Sequence, residues 1–406
     1  MPNYNLTNAK SAKNDEFYTQ YIDIEKEINA YLEFNPDVFR EKTILLPCDD
    51  PEWSNFTKYF AQNFEKFGLK KLISTSYAVE SKKYKAGYQL TMFEADEPHF
   101  DKDKTRIKGK IFTLTYDKTG DGKIDIDDLD WDYLKGDGDF RSFEVKALRD
   151  EADIIITNPP FSLFREFLAW IVEADKEFVI IGNKNVITYK EVFPFIKANK
   201  IWIGTTGFNK DMLFISPEKI DPLEKPSTAT RTVDGIVYLR SPSVWFTNLD
   251  HGRRHQPLTL LSMADNIKFS KHKQVRGKQY QRYDNYDAIE VPFTNAIPKD
   301  FDGVMGVPIS FLDKFCPEQF DVLGATQRGC HDEVPDIKKY DNYWEVKQNG
   351  QKTGSSGGKT NENANLVGND GRKNYFINKE GRVIQSAYQR IFIKHKREKN
   401  ENNTKN

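Results

Sequence analysis

The strongest constraint on this chain is the alternation, in its first half, of short apolar runs with stretches of helical period. Lys42–Pro47, Lys71–Ser76, Ile111–Thr115, Asp153–Thr157 and Phe178–Gly182 have strand length and strand composition. Between them apolar residues recur every three or four positions. Tyr21, Ile24, Ile28, Tyr31 and Leu32 form one such face, and Phe164, Phe167, Leu168, Ile171 and Val172 another. Trp53, Phe56, Phe60, Phe64 and Phe67 form a third, closed by Gly68, which suits a helix end. Strands alternating with helices predict an α/β fold with an open, mostly parallel sheet, whose ligands sit at the carboxyl ends of the strands.

From Ile201 onward the pattern changes. Runs at Ile201–Ile203, Met212–Ile215, Ile236–Leu239 and Val244–Phe246 read as later, antiparallel strands of the same sheet. Beyond about Gln256 the chain is more irregular. Residues 348–373, rich in Gly, Asn, Ser and Lys, read as a mobile loop, Tyr388–Ile393 as a closing strand, and 397–406 as a disordered tail. Residues 1–13 read as a flexible lead-in.

A chain of 406 residues accommodates one large α/β domain and a smaller one. The formal net charge is -1, so any nucleic-acid surface must be local. Cys48, Cys316 and Cys330 are odd in number, widely spaced and without a CxxC pair, which argues against a disulfide framework or zinc site and for a reducing cytoplasm. Neither an apolar leader nor a run of membrane-spanning length is present, so no membrane role is expected.

Chemistry concentrates at Asn158-Pro159-Pro160-Phe161, directly after the run Asp153–Thr157. Two prolines cannot continue a sheet, but they hold a rigid turn at a strand's end. There the Asn158 amide oxygen and the Pro159 carbonyl can accept from both N–H bonds of a primary amine on an aromatic ring. Such an amine is a poor nucleophile while its lone pair is delocalised. Two acceptors orient it and favour the pyramidal geometry needed to attack a sulfonium methyl group, and Phe161 offers a face for stacking. The bland alternative is a loop that merely leaves a strand.

Further motifs stand in a fixed order around this one. Asn14-Asp15-Glu16-Phe17-Tyr18-Thr19 comes first, then Leu45-Leu46-Pro47-Cys48-Asp49-Asp50-Pro51, Gly136-Asp137-Gly138-Asp139-Phe140, the Asn-Pro-Pro-Phe turn, and Phe178-Val-Ile-Ile-Gly-Asn183. Taken together, the sequence from about Asn14 to Phe320 resembles the EcoRI-type adenine-specific DNA methyltransferases. The resemblance implies a Rossmann-like, S-adenosylmethionine-dependent domain at 14–256 and a smaller C-terminal target-recognition region at 257–396. It implies transfer of a methyl group to the N6 amine of a flipped-out adenine in duplex DNA, without metal, by a monomer; whether a cognate restriction endonuclease acts on the same site is left open by the sequence. Asn158, Pro159, Pro160 and Phe161 are then catalytic. Phe17, Tyr18, Thr19, Pro47, Cys48, Asp49, Asp50, Asp139, Phe140 and Asn158 hold the cofactor, with Asp139 accepting from its adenine amine and Phe140 packing on its ring. Two departures stand out: Cys-Asp-Asp-Pro replaces a glycine-rich first loop, and Ser74, Thr75 and Ser76 end the second strand without a carboxylate. Asp49 or Asp50 can reach the ligand instead, or serve only to cap a helix. For Gly136–Phe140 the alternative is a plain surface turn.

Asp117–Asp128 fits much of an EF-hand loop, but it follows a strand and carries Asp at the twelfth position, so a hairpin turn is the simpler reading. From His251 to Tyr283 the chain carries Arg253, Arg254, Lys268, Lys271, Lys273, Arg276, Lys278 and Arg282 against Asp265 alone, with Tyr280 and Tyr283 interleaved. Such a stripe suits DNA phosphates; otherwise it is a solvated loop. Base reading is expected there or near Gln327, Arg328 and His331. Rival readings are a methyltransferase for RNA adenine or protein glutamine, and a catalytically idle nucleic-acid-binding protein on the same fold.

Overall fold

The computed structural model describes residues 18–47, 49, 54–78, 100–208, 210–215, 230–326, 337–355, 363–368, 373–386 and 389–396. Phe17, Cys48, Asp50, Trp53, Gln327, Arg328, His331, Tyr388, and the expected lead-in and tail, lie outside these. The described residues form two compact units, one from 1–184 and 202–252, the other from 185–201 and 253–406.

The first unit contains, in chain order, β1 (Tyr18–Thr19), α1 (Tyr21–Phe34), β2 (Thr43–Leu46), α2 (Asn55–Gln62), α3 (Phe64–Phe67), β3 (Lys71–Ser76), α4 (Lys102–Ile107), β4 (Lys110–Leu114), β5 (Asp130–Tyr133), α5 (Phe143–Glu151), β6 (Ile154–Thr157), α6 (Phe164–Glu173) and β7 (Glu177–Asn183). After α7 (Phe193–Lys197), which belongs to the second unit, come β8 (Trp202–Ile203), β9 (Met212–Ile215), β10 (Thr230–Val233), β11 (Ile236–Ser241) and β12 (Ser243–Thr247). The main sheet has eight strands in the order β5-β4-β3-β2-β6-β7-β12-β8. Its centre, β3-β2-β6-β7, is parallel, and both flanks are antiparallel. The expected mostly parallel sheet is therefore a mixed one. The central strands β2 and β6 are buried along their whole length, which is why they read as unbroken apolar runs.

Two expectations for this unit are corrected. The single helix read up to Phe67 is two, because Asn63 turns its side-chain amide onto the Tyr59 carbonyl and breaks the helical run. Gly68 does close the second, in the left-handed conformation at φ 62°. The runs at Met212 and Ile236 do not join the main sheet; β9 and β11 form a separate antiparallel sheet in the order β1-β9-β11-β10. The EF-hand-like loop joins the antiparallel strands β4 and β5. The Asp117 carboxylate accepts from the Gly120 and Gly122 amides, and the Asp128 carboxylate from those of Lys118, Thr119 and Asp125.

The second unit carries α8 (Met263–Phe269), β13 (Ala288–Glu290), β14 (Val304–Pro308), β15 (Phe320–Ala325), β16 (Tyr343–Lys347), β17 (Asn365–Val367), β18 (Asn374–Asn378), β19 (Val383–Ser386) and β20 (Arg390–His395). They build two four-stranded sheets, β13-β14-β20-β15 and β16-β18-β19-β17. Helix α7 packs on β15. The stretch expected as a mobile loop thus contains a paired strand, β17, and the closing strand is β20.

Candidate active site

The parallel neighbours β2 and β6 are in register at Ile44↔Ile154 and Leu45↔Ile155. From β2 the chain passes to β3 on one side, and from β6 to β7 on the other. The connections leaving β2 and β6 run to opposite sides, which makes this the switch point at whose carboxyl edge the ligand crevice of an α/β sheet lies.

Asp49, just past β2, ties the two sides of that crevice together. Its carboxylate accepts from Ser54 Oγ at 2.8 Å and from Thr157 Oγ1 at 2.6 Å. Its carbonyl accepts from Thr57 Oγ1 at 3.2 Å and from Ser74 Oγ. Thr157 Oγ1 also lies 2.9 Å from the carbonyl of Pro47. Asp49 is only 7% exposed, and α2 is capped by Ser54, whose Oγ accepts from the Phe56 amide. The loop without glycines is thus held by side-chain hydroxyls from α2, β3 and β6. Thr157, the last residue of β6, passes that hold directly to Asn158.

In the Asn-Pro-Pro-Phe turn Pro159 is buried, Asn158 and Pro160 are half-buried, and the Asn158 amide oxygen is itself buried. The turn is braced from both ends. Phe164, at the start of α6, packs on Phe246 with centroids 5.4 Å apart, and a side chain at Gly182 would collide with it. Phe161 stands half-buried, edge-to-face with Phe214 of β9 at 6.3 Å and 80°. Phe214 pairs in register with Thr19 and the neighbouring Ile215 with Tyr18, so the N-terminal motif lies beside this aromatic pair. Asn55 Nδ2 donates to the Thr19 carbonyl at 2.7 Å, joining that motif to the start of α2.

The Gly136–Phe140 turn meets the end of β3. The Ala78 amide donates to the Asp137 carbonyl at 2.9 Å, and Gly138, at φ 85°, lies so close to the Ser76 carbonyl that any side chain would collide with it. Asp139 keeps its carboxylate on the rim, where it accepts from the Arg141 amide, Nε and Nη2 at 2.8, 2.9 and 2.6 Å. Phe140 is fully buried, edge-on to Phe167 at 5.1 Å and to Trp170 at 5.7 Å. Its ring anchors the turn from within and offers no face to a ligand.

With that geometry in view, comparison with known proteins is decisive. The family model described as adenine-specific methyltransferase EcoRI matches residues 5–396. The chain belongs to the EcoRI adenine-specific methyltransferase family. The type II methyltransferase M.EcoRI of Escherichia coli is 44% identical over 320 residues, 78% of this chain and 88% of that protein. The type II methyltransferase M.MpnI of Mycoplasma pneumoniae is 32% identical over 316 residues, 78% of this chain and 83% of that one. No solved structure gives a significant match. Membership of this family makes the chain an enzyme, a methyltransferase.

The family's expected cofactor and target motifs, where described, gather in the first unit along one edge of the sheet: Thr19, Pro47 and Asp49, the Gly136–Asp139 turn, and Asn158–Phe161. The basic stripe lies in the second unit. There Lys268, Lys271, Lys273, Arg276, Lys278 and Arg282 are exposed. Arg254 instead is buried and donates to Asn199 Oδ1, Arg253 pairs with Asp313 at 2.8 Å, and Arg282 pairs with Asp287 at 2.9 Å. Tyr283 is buried and offers no stacking face, whereas Tyr280 is half-buried with its hydroxyl bonded to the Ala296 carbonyl at 2.6 Å. Among the described residues no cluster of His, Cys, Asp or Glu is placed to hold a metal, and no helix is long and apolar enough to cross a membrane.

Sequence reasoning missed Ser54, Ser74, Thr157 and Phe214. All four sit on segments whose strand or helix character was legible. What the sequence lacked was any signal for which hydroxyl or ring turns toward Asp49 or Phe161.

Proposed function

We propose that this chain is a site-specific DNA methyltransferase that transfers a methyl group from S-adenosylmethionine to the N6 amine of an adenine extruded from duplex DNA, on a Rossmann-like sheet. The observation that carries this reading is the placement of Asn158–Phe161 at the β2/β6 crevice, tied through Thr157 to Asp49 and through Phe161 to Phe214. The residues present fit the donor. The backbone drawn tight at Gly138 and the rim carboxylate of Asp139 suit an adenosine group, with Asp139 shared between Arg141 and the adenine amine. Thr19 and the Pro47–Asp49 loop suit its amino-acid end. When bound, S-adenosylmethionine supplies an electrophilic sulfonium methyl group.

The chain's own residues then do the following. Phe161, steadied by Phe214, stacks on the extruded base. The Asn158 amide oxygen and the Pro159 carbonyl accept from the two N–H bonds of the target amine, holding its lone pair in line. Charge that develops on that nitrogen strengthens both hydrogen bonds, so these fixed dipoles act mostly in the transition state. The second unit serves as the target-recognition region, and the protein works as a cytoplasmic monomer beside a restriction endonuclease of the same specificity.

The test is expression in a host free of DNA methylation, with N6-methyladenine mapped across the genome, and calorimetry of S-adenosylmethionine binding in the presence of chelator. A recurrent methylated sequence together with chelator-resistant binding is the expected outcome. Methylation found only on RNA or on glutamine, or no cofactor binding at all, would remove the DNA assignment or the enzyme mechanism respectively.

A further inference from the structure

The first unit has a second concavity, separate from the crevice. It is a groove of about 710 Å³ lined by residues including Gln20, Asp23, Lys210, Asp211, Arg231 and Arg240. Its position follows from the sheet. Strand β12 runs antiparallel to β7, and β8 antiparallel to β12, so β8 ends on the same edge as β2, β6 and β7. Along that edge the Pro47–Asp49 loop and the Gly136–Asp139 turn lie on the β2/β3 side of Asn158–Phe161. The segment 204–211 leaves β8 on the opposite side. The groove is therefore across the target turn from the Pro47–Asp49 loop and the Gly136–Asp139 turn, while Gln20 in its lining directly follows Thr19.

Its charge is uneven. Asp211 is held by Arg240 at 2.8 Å and Lys184 at 3.7 Å. Lys210 and Arg231 are exposed and form no ion pair among the described residues. Among the described residues of the lining Asp23 is the remaining carboxylate, against the cations of Lys210, Arg231 and Arg240, so these residues carry a positive balance. The groove is also close to the aromatic pair, because Met212 and Leu213 line it while Phe214, next on β9, meets Phe161. The separation along the strand is about 7 Å at the usual rise per residue. That is close to the through-space distance between neighbouring phosphates on one DNA strand.

We propose that this groove binds the phosphodiester backbone of the target strand next to the extruded nucleotide, with Lys210 and Arg231 as its phosphate-binding cations. The proposal rests on the DNA-methyltransferase reading and adds a contact on the catalytic unit, distinct from the stripe at 268–282. A phosphate held there fixes the strand on one side of the flipped base while Phe161 holds the base itself. Gln20, whose Nε2 is committed to the Leu213 carbonyl at 3.0 Å, keeps the floor of the groove in place.

The experiment compares wild type with three variants: the double variant Lys210→Ala/Arg231→Ala, the charge-preserving Lys210→Arg/Arg231→Lys, and Lys70→Ala. Lys70 is an exposed cation before β3, at the opposite edge of the sheet. Binding to a fluorescently labelled duplex of mixed sequence is measured across a salt series. Loss of both groove cations is expected to weaken binding and to make the plot of log affinity against log salt shallower by about 0.9 for each lost contact. The charge-preserving variant and Lys70→Ala should keep the wild-type slope. Calorimetry of S-adenosylmethionine binding should be unchanged in all of them. If wild type methylates adenine and the double variant keeps the wild-type slope and affinity, the groove assignment is wrong while the enzyme reading stands. An equal loss in Lys70→Ala would also overturn it, by showing only an effect of overall charge. If wild type neither binds the duplex nor methylates, both readings fall.

Discussion

At the scale of the residue, the proposed mechanism separates binding from chemistry at Asn158 and Phe161. Asn158→Ala removes one acceptor from the target amine, and single-turnover methylation is expected to slow by about a hundredfold or more, with little change in cofactor affinity. Phe161→Ala removes a stacking surface worth about 1–3 kcal/mol, so substrate binding should weaken along with the rate. A folded Asn158→Ala variant that methylates adenine at the wild-type rate would reduce the turn to a structural role. Thr157 gives a second test. Thr157→Val keeps the shape and deletes the hydroxyl that Asp49 accepts from at 2.6 Å. Misplacing the neighbouring Asn158 should cost roughly tenfold to a hundredfold in rate, and Thr157→Ser should restore most of it. Equal rates for the Val and Ser variants would show that the Asp49–Thr157 bond does not position the turn. Asp49 also shows where residue-level reading stopped. Its carboxyl was visible as a candidate for a ligand or a helix cap, but Ser54 is the cap, and the hydroxyls around Asp49 come from segments far apart in sequence.

At the scale of the element, helix α1 is fixed by one buried acid. Glu27 is fully buried, accepts from the amides of Thr205 and Thr206, from both threonine hydroxyls, and from Tyr31 Oη at 2.8 Å. Burial raises its pKa, and these hydrogen bonds partly offset the rise. A carboxyl whose folded pKa is raised contributes stability that is fully present below its unfolded value of about 4.3 and is lost as pH climbs through the folded value. Glu27→Gln should remove that pH-dependent part. It should also destabilise the fold by about 1–3 kcal/mol, since an amide cannot accept at both ends and leaves a buried donor unsatisfied. Urea melts across a pH series check both, and a variant as stable as wild type, with the same pH profile, would show that Glu27 does not anchor the segment after β8. Elements were legible in proportion to their burial. Strands β2, β6 and β7 contain continuous apolar runs because they are buried on both faces of the sheet. Strands β16 and β18, Tyr-Trp-Glu-Val-Lys and Asn-Tyr-Phe-Ile-Asn, are mostly half-exposed and interrupted by polar residues, so their sheet passed for irregular chain. Nor could a run such as Met212–Ile215 say which of two sheets it joins.

At the scale of the whole molecule, the proposed catalytic edge lies in one compact unit and the exposed basic stripe in the other. If Lys271, Lys273 and Arg276 meet phosphates, replacing all three with Ala should weaken binding to every duplex alike. The salt dependence should become shallower by about 0.9 per lost contact, read by fluorescence titration. An unchanged slope would leave the stripe facing solvent. Arg253 and Arg254, committed to Asp313 and Asn199, should instead affect folding when replaced. The segment 185–201 carries a further consequence, for biosynthesis. It is made between β7 and β8 but belongs to the second unit, where α7 packs on β15. During translation Phe193 and Ile196 leave the ribosome about 120 residues ahead of the strand that covers them. At ordinary elongation rates that is a wait of roughly six to twenty-five seconds. A nascent chain of this protein therefore carries a greasy helix without its partner strand while nearly a third of its length is made, and slowed elongation between codons 202 and 325 should increase the share captured by chaperones.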